Sequence, residues 1–497
     1  MHIDVHELDV FVLWGSVITF LAILAVRVSS RTRLPSLLLY LLMGVAIGEA
    51  GLGVGFEDAE LAHALGFAAL VVILAEGGLT TTWSDVRPSM RLGLSLATIG
   101  VAVSVLVVAV GTHYLLGLPW ETAVLLGAVT SPTDAAAVFS VLRVVPLPKR
   151  LTGALESESG LNDAPTIVLV TIISTGGLAE HGVLWNVGLV AYELLGGLAI
   201  GLVVGFAGAW VMRRAALPSS GLYPLAVMSL CFIGYGSAAA AHASGFAAVY
   251  VAALVLGNSD LPHRAATRSF GEGLAWLAQI GLFVMLGLLL SPERIGPETI
   301  AYAVVAGLVL TLVARPVSVA VSSIVQPMPP RELAFISWAG LRGAVPIVLT
   351  TIPLAEGVTD SEQLFDIVFV LVVIYTVITG PTLLWVAKVL HVVRRSEPRG
   401  LDIEAAPLER VAADLLQVSI SPVSQMHGVE VGELRLPPGA SVSMIVRDGQ
   451  TMVPERRTVL KHGDDLLVVT PRRLRDKTEE RLRQVSARGR LAQWLGR

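Results

Sequence analysis

The chain has 497 residues, 54% of them hydrophobic and 15% charged, with a mean hydropathy of +0.73. Ordinary soluble domains carry roughly 25% charge, so this composition excludes one. Apolar runs of about 18 residues, each long enough to cross a bilayer, recur along most of the sequence and point to an all-α polytopic membrane protein. A β-barrel would show short alternating segments instead. The formal net charge of −4 discriminates little among partners, and no nucleic-acid partner is expected. The single cysteine, Cys231, excludes an intrachain disulfide and a cysteine-based metal cluster. The acidic start MHIDVHELD lacks the positive region of a signal peptide.

In chain order the spacing predicts thirteen spans, near 10–27, 35–52, 62–80, 91–115, 121–141, 151–174, 185–211, 222–240, 243–257, 270–290, 298–325, 332–354 and 364–392. The 222–257 region also reads as one re-entrant pair. Connections after odd-numbered spans carry Arg31, Arg33, Arg87, Lys149, Arg150, Arg213 and Arg264, whereas the opposite loops are acidic and hold only Arg294. The positive-inside bias therefore places the N-terminus outside and the C-terminus in the cytoplasm.

Several ionisable residues sit too deep for lipid, where they usually mark a pathway. Asp134 in GAVTSPTDAAAVF and Asp163 in ESESGLNDAP are roughly 20 Å and 18 Å from opposite ends of adjacent antiparallel spans, at 1.5 Å per residue. Two carboxylates thus reach similar depth. Pro132 cannot donate a helical hydrogen bond, so the backbone beside Thr133 and Asp134 is expected to break and offer oxygens to a cation. Ser159 and Asp163, four residues apart, share a face and can point at Asp134. Asn162 and Glu158 are expected to point elsewhere, Asn162 holding an unwound turn or a neighbouring helix. Glu158 needs a basic partner or a proton, and Arg315 in TLVARPVSV is the best placed. Glu76, near the inner end of span three, faces a vestibule or pairs locally. Glu156 lies about two turns from Asp163 on the same side, either attracting cations at the inner mouth or sitting solvated. Arg342 in WAGLRGAVPIVL, with glycines and Pro346 around it, predicts a second broken helix. Spans five and twelve run in opposite senses, as an inverted repeat requires.

Together LAEGGL, TSPTDAAAV, ESESGLNDAP, VARP and GLRGAVPI resemble the NhaP-type branch of the monovalent cation:proton antiporter family, over about residues 10–390. The resemblance implies inverted repeats, a six-helix core with two crossed broken helices, and a homodimer in the inner membrane working by elevator-like alternating access. It implies that Asp163 is the essential ion and proton carboxylate. Asp134, Ser159 and Thr133 complete the cation site, and Glu76 joins through water. Glu158 and Arg315 form a structural ion pair, and Asn162 marks a branch that exchanges one cation for one proton. No tightly bound metal or cofactor is implied.

Past Pro398 the pattern changes to short alternating runs separated by PPG, DG and GDD, a strand-and-turn pattern. A linker over 396–413, a small α/β domain over 414–473 and a basic amphipathic tail over 474–497 are expected. The tail either lies on the inner membrane face or packs as an ordinary helix. GVEVGELRLPPGASVSMIVRDGQTMVP and LKHGDDLLVV resemble the C-terminal lobe (TrkA-C type) of regulators of potassium conductance. That likeness implies dimerisation and, in some proteins, a small regulatory ligand. The dinucleotide fold that often precedes such lobes is missing, so NAD is not expected. Potassium/proton exchange is the expectation by association, sodium/proton exchange its alternative. A ligand-gated cation channel is a further alternative, although no filter-like carbonyl repeat such as TVGYG occurs. An enzyme is not expected, because no nucleophile or metal constellation surrounds Cys231 or His242.

Overall fold

The computed structural model describes residues 5–32, 36–49, 51–56, 58–134, 147–393, 401–408, 413–422, 424–447 and 449–489. They fall into two compact units, Met1–Arg394 and Arg395–Arg497.

Every regular element described in the first unit is helical. A chain in hydrocarbon must satisfy its backbone internally, and a helix does so within one segment. In chain order the helices are α1 (Val5–Thr32), α2 (Ser36–Ile47), α3 (Ala59–Thr80), α4 (Trp83–Leu116), α5 (Trp120–Thr130), α6 (Lys149–Ser174) and α7 (Gly177–Arg214). There follow α8 (Leu222–Ala240), α9 (Gly245–Gly257), α10 (Arg264–Leu288), α11 (Pro297–Ser322), α12 (Pro330–Ala339), α13 (Ala344–Ala355) and α14 (Ser361–Val389). Among the described residues, seven helices are long and apolar enough to cross a membrane, and α12 with α13 makes an eighth when counted as one span bent by 53°. Large apolar side chains such as Trp14, Phe20, Val203 and Phe206 face outward rather than into the core. This is the surface a lipid-embedded chain presents.

Local sequence explains the irregular places. Asp58 caps α3 by accepting from the Leu61 N–H at 2.9 Å. Both α4 and α11 contain a π-turn, at Leu96–Gly100 and Leu310–Ala314. Ser95 and Ser322 join the two helices, each hydroxyl donating to the other's carbonyl at 3.1 and 3.3 Å. The 222–257 region forms two helices, of which only the first is long enough to cross a membrane. The second, α9, has 13 residues, about 20 Å at 1.5 Å per residue, and packs against α3 and α7. Helix α10 begins at Arg264 rather than near 270. Helix α5 stops at Thr130 instead of running to 141, and positions 135–141 of that expected span lie outside the described residues. α6 is the hub: it packs on α4, α5, α7, α9, α12 and α13. It buries Ser157, Glu158, Ser159, Asn162, Asp163 and Thr166, an unusually polar load for a helix at the centre of a bundle.

The second unit is an antiparallel five-stranded sheet, in the order β1-β2-β5-β3-β4, with one helix. The strands are β1 (Leu401–Leu408), β2 (Ala413–Ile420), β3 (Ser441–Arg447), β4 (Gln450–Met452) and β5 (Asp465–Pro471); helix α15 is Arg475–Arg488. One expectation is corrected, and of the alternatives for the tail the packed helix is found. The stretch 396–413 contains a strand, β1, paired with β2 in the register Ile403↔Val418. Pro407 disguises it, but β1 is an edge strand, where proline is tolerated. The tail helix does not present an apolar face for a membrane: Leu482 and Val485 are buried with Leu416, Val418, Leu466 and Val468 of the sheet. Residues 490–497 lie outside the described part.

Asp464 is buried and takes a forked contact from Arg447, Nε to Oδ1 at 2.7 Å and Nη2 to Oδ2 at 2.8 Å, plus the Lys461 N–H at 2.8 Å. Burial alone would raise its carboxyl, but the Arg447 and Lys461 hydrogen bonds outweigh that and hold it below the ordinary range. A lowered folded-state value stabilises the domain fully above the unfolded pKa of about 3.9 and loses its effect as pH falls through the folded value. Asp464→Asn leaves Arg447 facing a neutral partner, and is expected to cost roughly 3–5 kcal/mol. Hydrogen exchange of the full-length protein at pH 7 checks this: amides of β3 and β5 should lose protection in the variant, while those of α6 should not.

Candidate functional site

The site is assembled where two helices end. At the C-terminus of α5 the chain unwinds at Ser131, and Pro132, Thr133 and Asp134 run on without helical hydrogen bonds. The second break, Gly340–Gly343, separates α12 from α13. Pro346 lies not in that break but in the first turn of α13, where its missing N–H costs no hydrogen bond. The breaks meet directly, the Asp134 N–H donating to the Leu341 carbonyl at 2.9 Å.

Arg342 holds this junction. It is wholly buried. Its Nε donates to the Thr130 carbonyl, the end of α5, at 2.8 Å. Its Nη1 donates to the Gly340 carbonyl, the end of α12, at 2.7 Å. One guanidinium thus caps two helix C-termini, whose partial negative charge offsets its own. The Tyr375 ring lies 5.9 Å from the guanidinium carbon, and Thr376 holds the Arg342 carbonyl through its hydroxyl at 3.1 Å. Gly343 is required by close approach: a Cβ there would fall inside the Asp134 carboxylate.

Facing the α5 break is α6. Thr133 Oγ1 and Ser159 Oγ are 2.9 Å apart, and Asn162 Nδ2 donates to Thr133 Oγ1 at 3.0 Å. Asn162 therefore lies on the site side rather than pointing elsewhere, while its hold on the unwound turn is the one expected. Ser159 and Asn162 are three apart and neighbours on the helix surface, so one threonine reaches both. Asp163 is buried, and its Oδ1 has no hydrogen-bond partner among the described residues; Asn162 Oδ1 likewise has none. Asp134 is buried too and close enough for its charge to act on Asp163. Glu76 stands half-buried in the last turns of α3, a helix that touches α6.

Behind this oxygen cluster Glu158 and Arg315 form a forked ion pair. Nη1 bonds Oε1 and Nη2 bonds Oε2, the latter at 2.8 Å, with both side chains almost fully excluded from solvent. Arg315 Nη2 also approaches the Ile336 carbonyl of α12 at 3.5 Å. A Cβ at Gly340 would stand 2.7 Å from Arg315 Nε and 3.0 Å from Arg342 Nη1, so this glycine lets the two arginines pass on either side of the break. Sequence reasoning missed the backbone partners of the junction, Thr130 O, Gly340 O and Leu341 O, and also Gly343. The glycines flanking Arg342 were the available signal.

Chemically the cluster offers carboxylate, hydroxyl and amide oxygens in a dry setting and no nitrogen or sulfur ligand set. Among the described residues no group of three or more His, Cys, Asp or Glu is arranged to hold a metal. Hard oxygen ligands of this kind suit monovalent cations. A family model described as "Sodium/hydrogen exchanger, transmembrane" matches residues 16–389. The chain belongs to the sodium/hydrogen exchanger family. Exchanger relatives include the K(+)/H(+) antiporter NhaP of Alkalimonas amylolytica, 35% identical with 93% of this chain and 82% of the relative covered. The K(+)/H(+) antiporter NhaP2 of Shewanella baltica is 31% identical over 94% and 82%. Among solved exchangers, the sodium proton antiporter MjNhaP1 of Methanocaldococcus jannaschii superposes with a TM-score of 0.67 at 21% identity, covering 77% of this chain and 99% of that one. That likeness concerns the fold, which is mostly helical and NhaP-like. A second family model, the TrkA-C domain, matches residues 415–483, the sheet and helix of the second unit.

The ion pair gives a test. Arg315→Met strands the Glu158 carboxylate and is expected to destabilise the helical unit by roughly 3–5 kcal/mol, whereas Glu158→Leu with Arg315→Met removes both charges and recovers most of it. Thermal unfolding of the detergent-solubilised protein measures both; equal losses would mean that the pair is not coupled.

Proposed function

We propose that this protein is a secondary active transporter exchanging a monovalent cation, potassium in preference to sodium, for a proton by alternating access. One observation carries the reading: a buried carboxylate oxygen, Asp163 Oδ1, has no donor among the described residues and lies on the helix face where the Thr133–Ser159 hydroxyl pair meets the end of a broken helix. A proton or a dehydrated cation satisfies that oxygen, so the two compete for it. Occupied by either, Asp163 is neutralised and the loaded core crosses the low-dielectric barrier. Empty and charged, it crosses poorly because its desolvation is uncompensated. Competition plus that barrier gives exchange instead of leak.

In this reading Asp163 is the carrier, and Asp134, Ser159 and Thr133 complete the cation shell, with Glu76 joining from α3. Glu158 and Arg315 are structural, while Pro132, Arg342 and Pro346 belong to the breaks. Asn162 in place of a second carboxylate supports one-for-one, electroneutral exchange. The names of the two potassium relatives support potassium. Sodium is the second reading, favoured by the Na(+)/H(+) antiporter NhaH of Halobacillus dabanensis, 26% identical over 73% of this chain. The two hydrogen-bonded breaks support an inverted-repeat architecture of thirteen spans with crossed helices. The arginines of the odd-numbered connections support an external N-terminus and a cytoplasmic C-terminus in an inner membrane, in which the protein works as a homodimer. The TrkA-C domain is read as regulatory, by dimerisation or by a small ligand.

Proteoliposomes decide the matter. Wild-type protein should move protons on addition of potassium, and less with sodium, rubidium or lithium, while Asp163→Asn should abolish all cation-dependent movement and still elute as folded protein. Full exchange by Asp163→Asn removes the carrier role. Deleting 400–497 is expected to change the activity without abolishing it, because the cation cluster lies wholly in the first unit; complete loss with folding retained would make the domain part of the transport machinery.

A further inference from the structure

Glu156, Gly160 and Asp163 are spaced by four and three residues and so line one stripe of α6. Glu156 and Gly160 are half-buried and Asp163 is buried, so the stripe leads inward to the carboxylate. Tyr250 of α9 lies across its middle. A Cβ at position 160 would overlap the Tyr250 Cζ and hydroxyl oxygen and stand 2.7 Å from Cε2. Tyr250 is itself buried, with Thr81, Glu156 and Asp163 in its neighbourhood. The ring is firmly mounted. α9 touches α3 backbone to backbone, since a Cβ at Gly78 would stand 2.6 Å from the Tyr250 carbonyl oxygen and 2.7 Å from the Ala253 Cβ.

We propose that the Tyr250 ring is the seal between Glu156 and Asp163, seated on Gly160, and that it keeps this side closed while the cation site is open to the other. The inference rests on the exchange function above. A ring on a glycine excludes water by contact, and its hydroxyl leaves a polar lip for an ion passing when the seal lifts. Without the ring, every state open to the far side becomes a continuous polar path, and protons pass without a cation.

The test uses full-length protein in vesicles of phosphatidylethanolamine and phosphatidylglycerol, with a pH gradient and choline as the only other cation. Tyr250→Ala is expected to dissipate the gradient about tenfold faster than wild type, equivalent to about 1.4 kcal/mol off the barrier. Tyr250→Phe keeps the ring and should stay as tight as wild type. Gly160→Ala pushes the ring off its seat and should leak like Tyr250→Ala; it decides the question alone if Tyr250→Ala does not fold. Leak-free, coupled potassium exchange by Tyr250→Ala or by Gly160→Ala overturns the seal, as does a leak in Tyr250→Phe equal to that of Tyr250→Ala. Wild-type vesicles that move no protons with potassium would sink the exchange reading instead, and that control is scored first.

Discussion

The double cap made by Arg342 is the constraint on which the site depends. A helix that stops inside a bundle leaves carbonyls with no donor and no water to replace it, at a cost of several kcal/mol per group in hydrocarbon. Here two helices stop at the same place, and a single guanidinium donates to the last carbonyl of each. The arrangement needs no carboxylate counter-ion, because the two helix ends supply the negative potential. Had an acid been used instead, it would compete with Asp134 and Asp163 for any cation in the cluster. The buried arginine thus spends Nε and Nη1 on backbone, while Nη2 has no partner among the described residues.

With the break fixed, the remaining polar groups divide by how completely they are satisfied. Glu158 takes two bonds from Arg315, both its oxygens being engaged, while Arg315 Nε has no partner among the described residues. Thr133, Ser159 and Asn162 are joined to one another but keep spare oxygen lone pairs. Asp163 keeps an entire oxygen. Native interiors satisfy most buried polar atoms, so an orphan carboxylate oxygen calls for an explanation. The gradient from saturated to open runs along six residues of one helix, Glu158 to Asp163. The same sequence therefore serves both as scaffold and as site.

Much of this was legible in the sequence, and what was not has physical reasons. Buried carboxylates on adjacent segments, a break at Pro132 and a partner for Glu158 all follow from the cost of burying charge and from a missing N–H, which residue types alone reveal. The partners of Arg342 do not, because they are carbonyls that every residue carries. The side taken by Asn162 was misjudged because the partner is an unwound segment, and such a segment is not bound to the face that a helical wheel assigns. In the C-terminal domain the alternation of β3 and β5 was readable, whereas β1 was masked by Pro407 and β2 begins in a stretch of mixed, polar composition. The tail helix read as amphipathic with two possible seats, and only the sheet it covers settles that it is packed.

Asn162 ties these threads together. A carboxylate at 162 would place a second negative charge on the same turn as Asp163, facing the same threonine. It would accept from Thr133 Oγ1 but donate nothing, so the threonine hydroxyl would turn toward it and away from Ser159. The amide instead donates to Thr133 Oγ1, which also pairs with the Ser159 hydroxyl, and the amide oxygen has no partner among the described residues. One atom exchange in a side chain therefore sets two properties at once. It leaves one ionisable group rather than two at positions 162 and 163 of α6, and it gives Thr133 Oγ1 a donor. Charge and hydrogen bonding in the cluster are in this way coupled through a single side chain facing an unwound turn.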